Sequence, residues 1–110
     1  MMTLNTKIVL HIPLVAWKDH AITPIDYAAF KHLLLVALED AGASSLYTVQ
    51  ATGYYKGREY AETLWTIFCE ETDRDRIVEA FRRTFREHND IMQQEAFAYE
   101  CNGTLHVEEL

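Results

Sequence analysis

The sequence predicts a two-layer α+β sandwich, in which one mainly antiparallel sheet carries two helices on a single face. Apolar segments with strand-like and helix-like periodicity alternate in the order β-α-β-β-α-β, and a short fifth strand ends the series. Capping residues precede both helical segments, and turn residues separate the strands. The chain has 110 residues, so we expect residues 1–110 to form a single domain.

The first strand and the first helix are predicted from clear local signals. Residues 8–12 are an apolar, β-branched run that is typical of a strand. A helix start follows at Thr23, Pro24 and Asp26, because Thr caps free N–H groups, Pro fits the first turn and Asp complements the helix dipole. Gly42 is expected to end this helix. Its core stripe would consist of Tyr27, Phe30, Leu33, Leu34, Ala37, Leu38 and Ala41.

Two further strands are predicted at residues 46–51 and 64–69, joined by a hairpin with Gly57 in its turn. The later strand is apolar almost throughout, which favours a central position in the sheet. Its alternation places Leu64 and Phe68 on one face and Trp65, Ile67 and Cys69 on the other.

The second helix is expected to begin with Thr72 as its N-cap and Asp75 at the capping-box position. We expect it to end near His88 or Asn89, before a loop that continues to residue 94. Its buried stripe would consist of Ile77, Phe81 and Phe85, which recur every four residues.

The last two strands complete the predicted sheet. Residues 95–101 have strand character, and the dipeptide Asn102-Gly103 predicts a tight hairpin into a fifth strand at residues 104–108. The resulting arrangement resembles the ferredoxin-like fold over residues 7–101, which implies that the first and third strands lie in the centre of the sheet. A fold of this kind serves many unrelated functions.

Scattered positions in both halves of the chain point to a narrower resemblance. They are Thr48-Val49, Gly53-Tyr54-Tyr55, Gly57, Glu62 and Gln94-Glu95. This set is similar to an uncharacterised family of small bacterial ferredoxin-like proteins. The resemblance implies no catalytic residue that could be carried over to this chain.

The charge of the chain excludes some classes of partner. Lys and Arg total 10 and Asp and Glu total 17, so the net charge is −7. Binding of nucleic acid or an anionic membrane depends on an excess of basic residues, so we expect neither partner. The start of the chain lacks the basic region of a signal peptide, and Cys69 and Cys101 do not form a disulfide framework. We therefore expect a cytoplasmic protein with reduced cysteines.

The residues that could carry chemistry are few. His11, His20, His32, His88 and His106 lack the spacing of metal ligands, so we expect neither a metal nor a cofactor. His11 is the best candidate for a ligand contact because it interrupts an apolar strand, and Trp65 and Tyr99 are the other two candidates. A catalytic pair of Cys69 or Cys101 with His11 would lack a nucleophile elbow, and we predict no catalytic residue.

The layout also resembles the signalling proteins of the PII type, which bind adenine nucleotides between subunits. In those proteins a long loop joins the second and third strands, and a basic, glycine-rich loop precedes the fourth. Here the first loop is short, and residues 89–94 contain neither Gly nor Lys. Nucleotide binding of the PII type is therefore not expected, because polyphosphates require freed backbone amides or clustered cations.

The distribution of apolar residues predicts self-association. Ile25, Leu35 and Val36 lie off the core stripe of the first helix, and two helices can cover only one face of the sheet. We predict a homo-oligomer, most simply a dimer, that buries the open sheet face or the outer face of the first helix.

Two classes of function fit these observations. The first is a non-enzymatic binding or regulatory module that recognises a small molecule or a protein partner. The alternative is an enzyme without a tightly bound cofactor that resembles the dimeric α+β barrel monooxygenases and related lyases. In that case His11, Trp65 and Tyr99 would be the first residues to test.

Overall fold

Five strands form one sheet in the order β2-β3-β1-β4-β5, in which every neighbouring pair is antiparallel. A computed structural model describes residues 1, 3–16 and 21–110. The strands are β1 (Thr6–Pro13), β2 (Leu46–Tyr55), β3 (Arg58–Cys69), β4 (Ala96–Cys101) and β5 (Thr104–Glu109). The helices are α1 (Pro24–Asp40), α2 (Arg74–Glu87) and the short α3 (Asn89–Met92). The predicted α+β, ferredoxin-like architecture is confirmed, with β1 and β3 inside the sheet.

The core lies between one face of the sheet and the helices. Alternate residues of β1, namely Ile8, Leu10 and Ile12, are fully buried on this face, and Trp65 and Ile67 of β3 lie beside them. The predicted stripes of both helices cover them. The buried members of these stripes are Phe30, Leu34 and Leu38 on α1, and Ile77, Phe81 and Phe85 on α2.

The capping predictions have different outcomes in the two main helices. Thr23 caps α1, because its hydroxyl accepts a hydrogen bond from the backbone N–H of Asp26. The prediction for Thr72 is wrong. This residue lies inside a 3₁₀ turn over Glu71–Asp73, and α2 starts directly after it with Asp73 at the N-cap position. The 3₁₀ turn places the start of α2 one residue later than predicted, so the N-cap position falls on Asp73 and not on Thr72.

Two other segments are more regular than predicted. The hairpin between β2 and β3 has a two-residue turn, Lys56-Gly57, with both residues at positive φ. Such a turn matches the twist of the strands, so the pairing continues to Tyr55 and Arg58. Residues 89–94 are not simply a loop, because α2 ends at Glu87 and α3 forms one helical turn after it.

The sheet face opposite the helices, which we call the open sheet face, is apolar over much of its area. Among the described residues it carries five large side chains that are between 39% and 56% exposed: Tyr47, Val49, Phe68, Leu105 and Val107. On α1, Ile25 and Val36 are exposed as expected. Leu35 is a correction, because it is partly buried against the core and is not a free surface residue.

No helix in the described part of the chain is both long and apolar enough to cross a lipid bilayer. The predicted connection around residue 18 and His20 lie outside the described residues.

Candidate functional site

A pocket of about 290 Å³ opens on the open sheet face, between the β2–β3 hairpin and the β4–β5 pair. The hairpin contributes three tyrosines, Tyr54, Tyr55 and Tyr60, and also Arg58 and Glu62. The opposite wall is mainly apolar and consists of Ala96, Phe97, Ala98, Leu105 and Val107. An apolar, aromatic pocket with a few polar groups is the usual form of a small-molecule site.

His11 lies at this pocket between two carboxylates. Its Nε2 atom is 2.8 Å from Oε2 of Glu100, and its Nδ1 atom is 3.5 Å from Oε1 of Glu62. The interaction with Glu62 raises the pKa of His11 above its usual value of 6.5, burial opposes this effect, and Glu100 raises the pKa further. The arrangement favours the imidazolium form, in which Nε2 donates to Glu100 and Nδ1 lies within ion-pair distance of Glu62.

Glu62 is the most unusual polar group of the pocket. The residue is only 5% exposed, and its Oε2 atom is buried without a hydrogen-bond partner among the described residues. A buried carboxylate oxygen is costly unless a donor or a cation compensates it. The site therefore offers a ligand one unsatisfied acceptor in a largely apolar setting.

Tyr60 is held next to Glu62 by a close contact across the hairpin. It pairs with Gly53 of β2, and a Cβ atom at Gly53 would come within 2.6 Å of Tyr60 Cζ. The absence of a side chain at Gly53 thus allows the tyrosine ring to lie over the neighbouring strand. Burial, and secondly the charge of Glu62, raises the pKa of Tyr60.

The structure separates the three predicted site residues. His11 lines the pocket, whereas Trp65 and Tyr99 lie on the helix side of the sheet. Both pair with Leu10, the residue before His11 on β1. Because neighbouring residues of a strand point to opposite faces, Trp65 and Tyr99 lie on the face opposite to His11. Trp65 is fully buried, and the Tyr99 ring stacks on His106. The three residues therefore do not share one cavity, and ligand contacts by Trp65 and Tyr99 stay a prediction.

The two cysteines lie on the helix side as well, away from His11. Burial is the main cause that raises the pKa of both the Cys69 and the Cys101 thiol, which disfavours the reactive thiolate. Among the described residues, no group of His, Cys, Asp or Glu side chains is arranged to hold a metal ion.

Sequence reasoning misses most residues of this pocket, because they come from separate segments of the chain. Six lining residues lie in two such segments: Gly53, Tyr54, Tyr55, Glu62, Gln94 and Glu95. The segments 53–62 and 94–95 are about 30 residues apart along the chain, and only the order of the strands brings them together.

The pairing of His11 predicts a pH-dependent stability. Because its pKa is higher in the folded than in the unfolded state, its stabilising effect is complete below pH 6.5 and is lost as the pH rises through the folded pKa. We expect the free-energy difference between wild type and His11→Gln to shrink from acidic to alkaline pH in urea unfolding. His32→Gln, at an exposed position on α1, is the matched control. A difference that grows with pH would contradict the prediction.

Comparisons with known proteins establish the fold. No protein-family model and no curated protein matches the chain. A phage SAM lyase in complex with S-methyl-5'-thioadenosine superposes with a TM-score of 0.67 at 12% identity, covering 100% of this chain and 95% of that one. A phage SAM lyase in the apo state has a TM-score of 0.57 at 13% identity, covering 100% of this chain and 95% of that one.

A third similar structure is CPII, a nitrogen regulatory PII-like protein from Thiomonas intermedia K12, bound to ADP, AMP and bicarbonate. It has a TM-score of 0.55 at 15% identity and covers 96% of this chain and 90% of that one. At such low identity these likenesses support the ferredoxin-like α+β fold and nothing finer.

Proposed function

We propose that this protein is a non-enzymatic small-molecule-binding module that acts as a homo-oligomer, with the pocket beside His11 and Glu62 as its ligand site. The observation that carries the proposal is the pocket itself, which combines aromatic and apolar walls with a buried, unsatisfied carboxylate oxygen. Groups of this kind orient a ligand, whereas the apolar walls supply most of the binding free energy.

The similar structures suggest which ligands to test first. They hold S-methyl-5'-thioadenosine in one case and ADP and AMP in the other, and these compounds share an adenosine unit. An adenine ring could stack on the tyrosines of the pocket. Glu62 disfavours phosphates, so we expect S-methyl-5'-thioadenosine to bind better than ADP.

The ligand test is a thermal-shift measurement followed by calorimetry with S-methyl-5'-thioadenosine, AMP and ADP. We expect S-methyl-5'-thioadenosine to raise the melting temperature, and Val107→Arg to abolish this shift by filling the pocket from β5. His106→Arg is the control, because His106 lies next to Val107 on the other face of the same strand. The absence of a shift with all three compounds would contradict an adenosine-type ligand at this site.

The homo-oligomer is supported by the exposed apolar residues of the open sheet face that do not line the pocket, which are Tyr47, Val49 and Phe68. We expect light scattering after size exclusion to give a multiple of 12.8 kDa, and Phe68→Glu to reduce the mass to that of one chain. Ile25→Glu tests the other predicted surface on α1, where the exposed fraction is 82%. A wild-type protein of 12.8 kDa at micromolar concentration would contradict self-association.

The likeness to the phage SAM lyase favours one alternative, a lyase-like enzyme. The pocket contains the titratable groups His11, Tyr60 and Glu62, and two of them have raised pKa values, as residues at catalytic sites often do. Incubation with SAM, followed by mass spectrometry for S-methyl-5'-thioadenosine, tests this alternative. Formation of product that is lost in Glu62→Gln would favour the enzyme over the binding module.

A further inference from the structure

We infer that the ligand of this pocket carries a compact organic cation, of the sulfonium or quaternary ammonium type, beside Glu62. The inference rests on the proposed function, since it names the class of ligand for the same site. It depends on three features of the described residues: the charge of the pocket, the rings around that charge, and the apolar wall formed by β4 and β5.

The charge of the pocket is the first feature. Glu62 and Glu100 share one imidazole, so even a protonated His11 leaves this cluster with an excess negative charge. The buried Oε2 atom of Glu62 is the part of the cluster that has no hydrogen-bond partner among the described residues. An incoming cation would supply the missing charge, whereas an anion would bury a further negative charge beside it.

Nearby basic residues are already engaged. Lys56 forms an ion pair with Glu95, with 2.7 Å between Nζ and Oε1. Arg58 lines the pocket and has interactions of its own. Neither residue is a hydrogen-bond partner of the Oε2 atom of Glu62 in the described part of the chain.

The rings are the second feature. Tyr60 lies over Gly53 and close enough to Glu62 for the carboxylate to affect its pKa. Tyr55 lies on the same face of the hairpin as Tyr60, and Lys56 Nζ lies 5.4 Å from the centre of the Tyr55 ring. The hairpin thus already holds one cation over a tyrosine, and cation–π attraction is strongest when the cation is desolvated.

The apolar wall of the pocket decides between kinds of cation. A primary ammonium group has three N–H donors, each of which needs an acceptor when it is buried. Acceptors such as Glu62, Tyr60 and Gln94 line other parts of the pocket. The wall formed by β4 and β5 carries mainly side chains without acceptors, such as Ala98, Leu105 and Val107, so N–H donors that face this wall would stay unpaired. Sulfonium and quaternary ammonium groups have no N–H donors, so one carboxylate and aromatic rings suffice for them.

The test compares two matched ligand pairs by calorimetry. S-Adenosylmethionine and S-adenosylhomocysteine differ by one methyl group and its positive charge, and choline and 3,3-dimethylbutan-1-ol differ by charge at nearly constant shape. We expect each cation that binds to do so about tenfold more tightly than its neutral analogue. Glu62→Gln should remove this preference, whereas Glu59→Gln, on an exposed position of the same strand, should retain it.

Gly53→Ala is a second variant that leaves the charge of the pocket unchanged. The added Cβ displaces the Tyr60 ring, so the preference for the cation should fall while far-UV circular dichroism stays that of wild type. Equal affinity for the members of both pairs would overturn the inference and leave the proposed function standing. Failure of all four compounds and of S-methyl-5'-thioadenosine to bind would overturn both.

Discussion

Phe85→Ala is expected to lower the free energy of unfolding by about 3–5 kcal/mol. Phe85 is fully buried and lies at the centre of an aromatic cluster. Its ring centre is 5.3 Å from that of Phe30, 5.7 Å from that of Phe81 and 5.3 Å from that of Phe97. The substitution removes the contacts that join α1, α2 and β4, and the surrounding backbone can close the cavity only in part.

Urea unfolding at a fixed protein concentration measures this loss, because self-association would otherwise make the stability depend on concentration. Ile25→Ala is the control, since its exposed side chain should change the free energy of unfolding by less than about 0.5 kcal/mol. A loss for Phe85→Ala as small as that of the control would contradict this description of the core.

The second large effect concerns the attachment of β5 to α2. Nε of Arg82 donates to Oε1 of Glu108 at 2.9 Å, and its Nη2 donates to Oε2 at 2.8 Å. A bidentate pair of this geometry is among the stronger polar contacts in proteins, so Arg82→Ala should cost roughly 1.5–3 kcal/mol. Urea unfolding of Arg82→Ala, Glu108→Ala and the double variant measures the coupling between the two residues.

The same pair predicts sensitivity to acid. Hydrogen bonding to Arg82 is the main cause that lowers the pKa of Glu108 from 4.5. The stabilising effect of the pair is therefore present above that value and is lost as the pH falls through the folded pKa of Glu108.

Arg83→Ala, at the exposed neighbouring position on α2, is the control for the loss of a charge in these unfolding measurements. Effects of Arg82→Ala and Glu108→Ala that simply add would show that the pair contributes no coupling.

The Arg82–Glu108 contact also connects the fold to the pocket. Glu108 points to the helix side of β5, and Leu105 and Val107 of the same strand line the pocket on the other side. If the contact is removed, β5 is held mainly by its pairing with β4 at the edge of the sheet. We therefore expect Arg82→Ala to weaken ligand binding at the pocket as well as stability, although Arg82 does not line it.

The site was less predictable than the fold because its residues give no local signal. His11 was identified because a titratable residue inside an apolar strand is unusual. Glu62 gave no such signal, because a glutamate near a hairpin is normally solvated, and its burial depends on the pairing of β1 with β3. Trp65 and Tyr99 were grouped with His11 by residue type, whereas the register of the sheet places them on the opposite face.

The sequence by itself determined the order of the elements, the stripes of α1 and α2 and the hairpin turns at Gly57 and Gly103. These depend on periodicity, capping and backbone freedom within a few residues. Tertiary structure alone decided which side chains meet on the open sheet face and that the carboxylate of Glu62 is buried. Those outcomes depend on strand order and register, which join residues as distant in sequence as His11 and Glu100 and which no local pattern specifies.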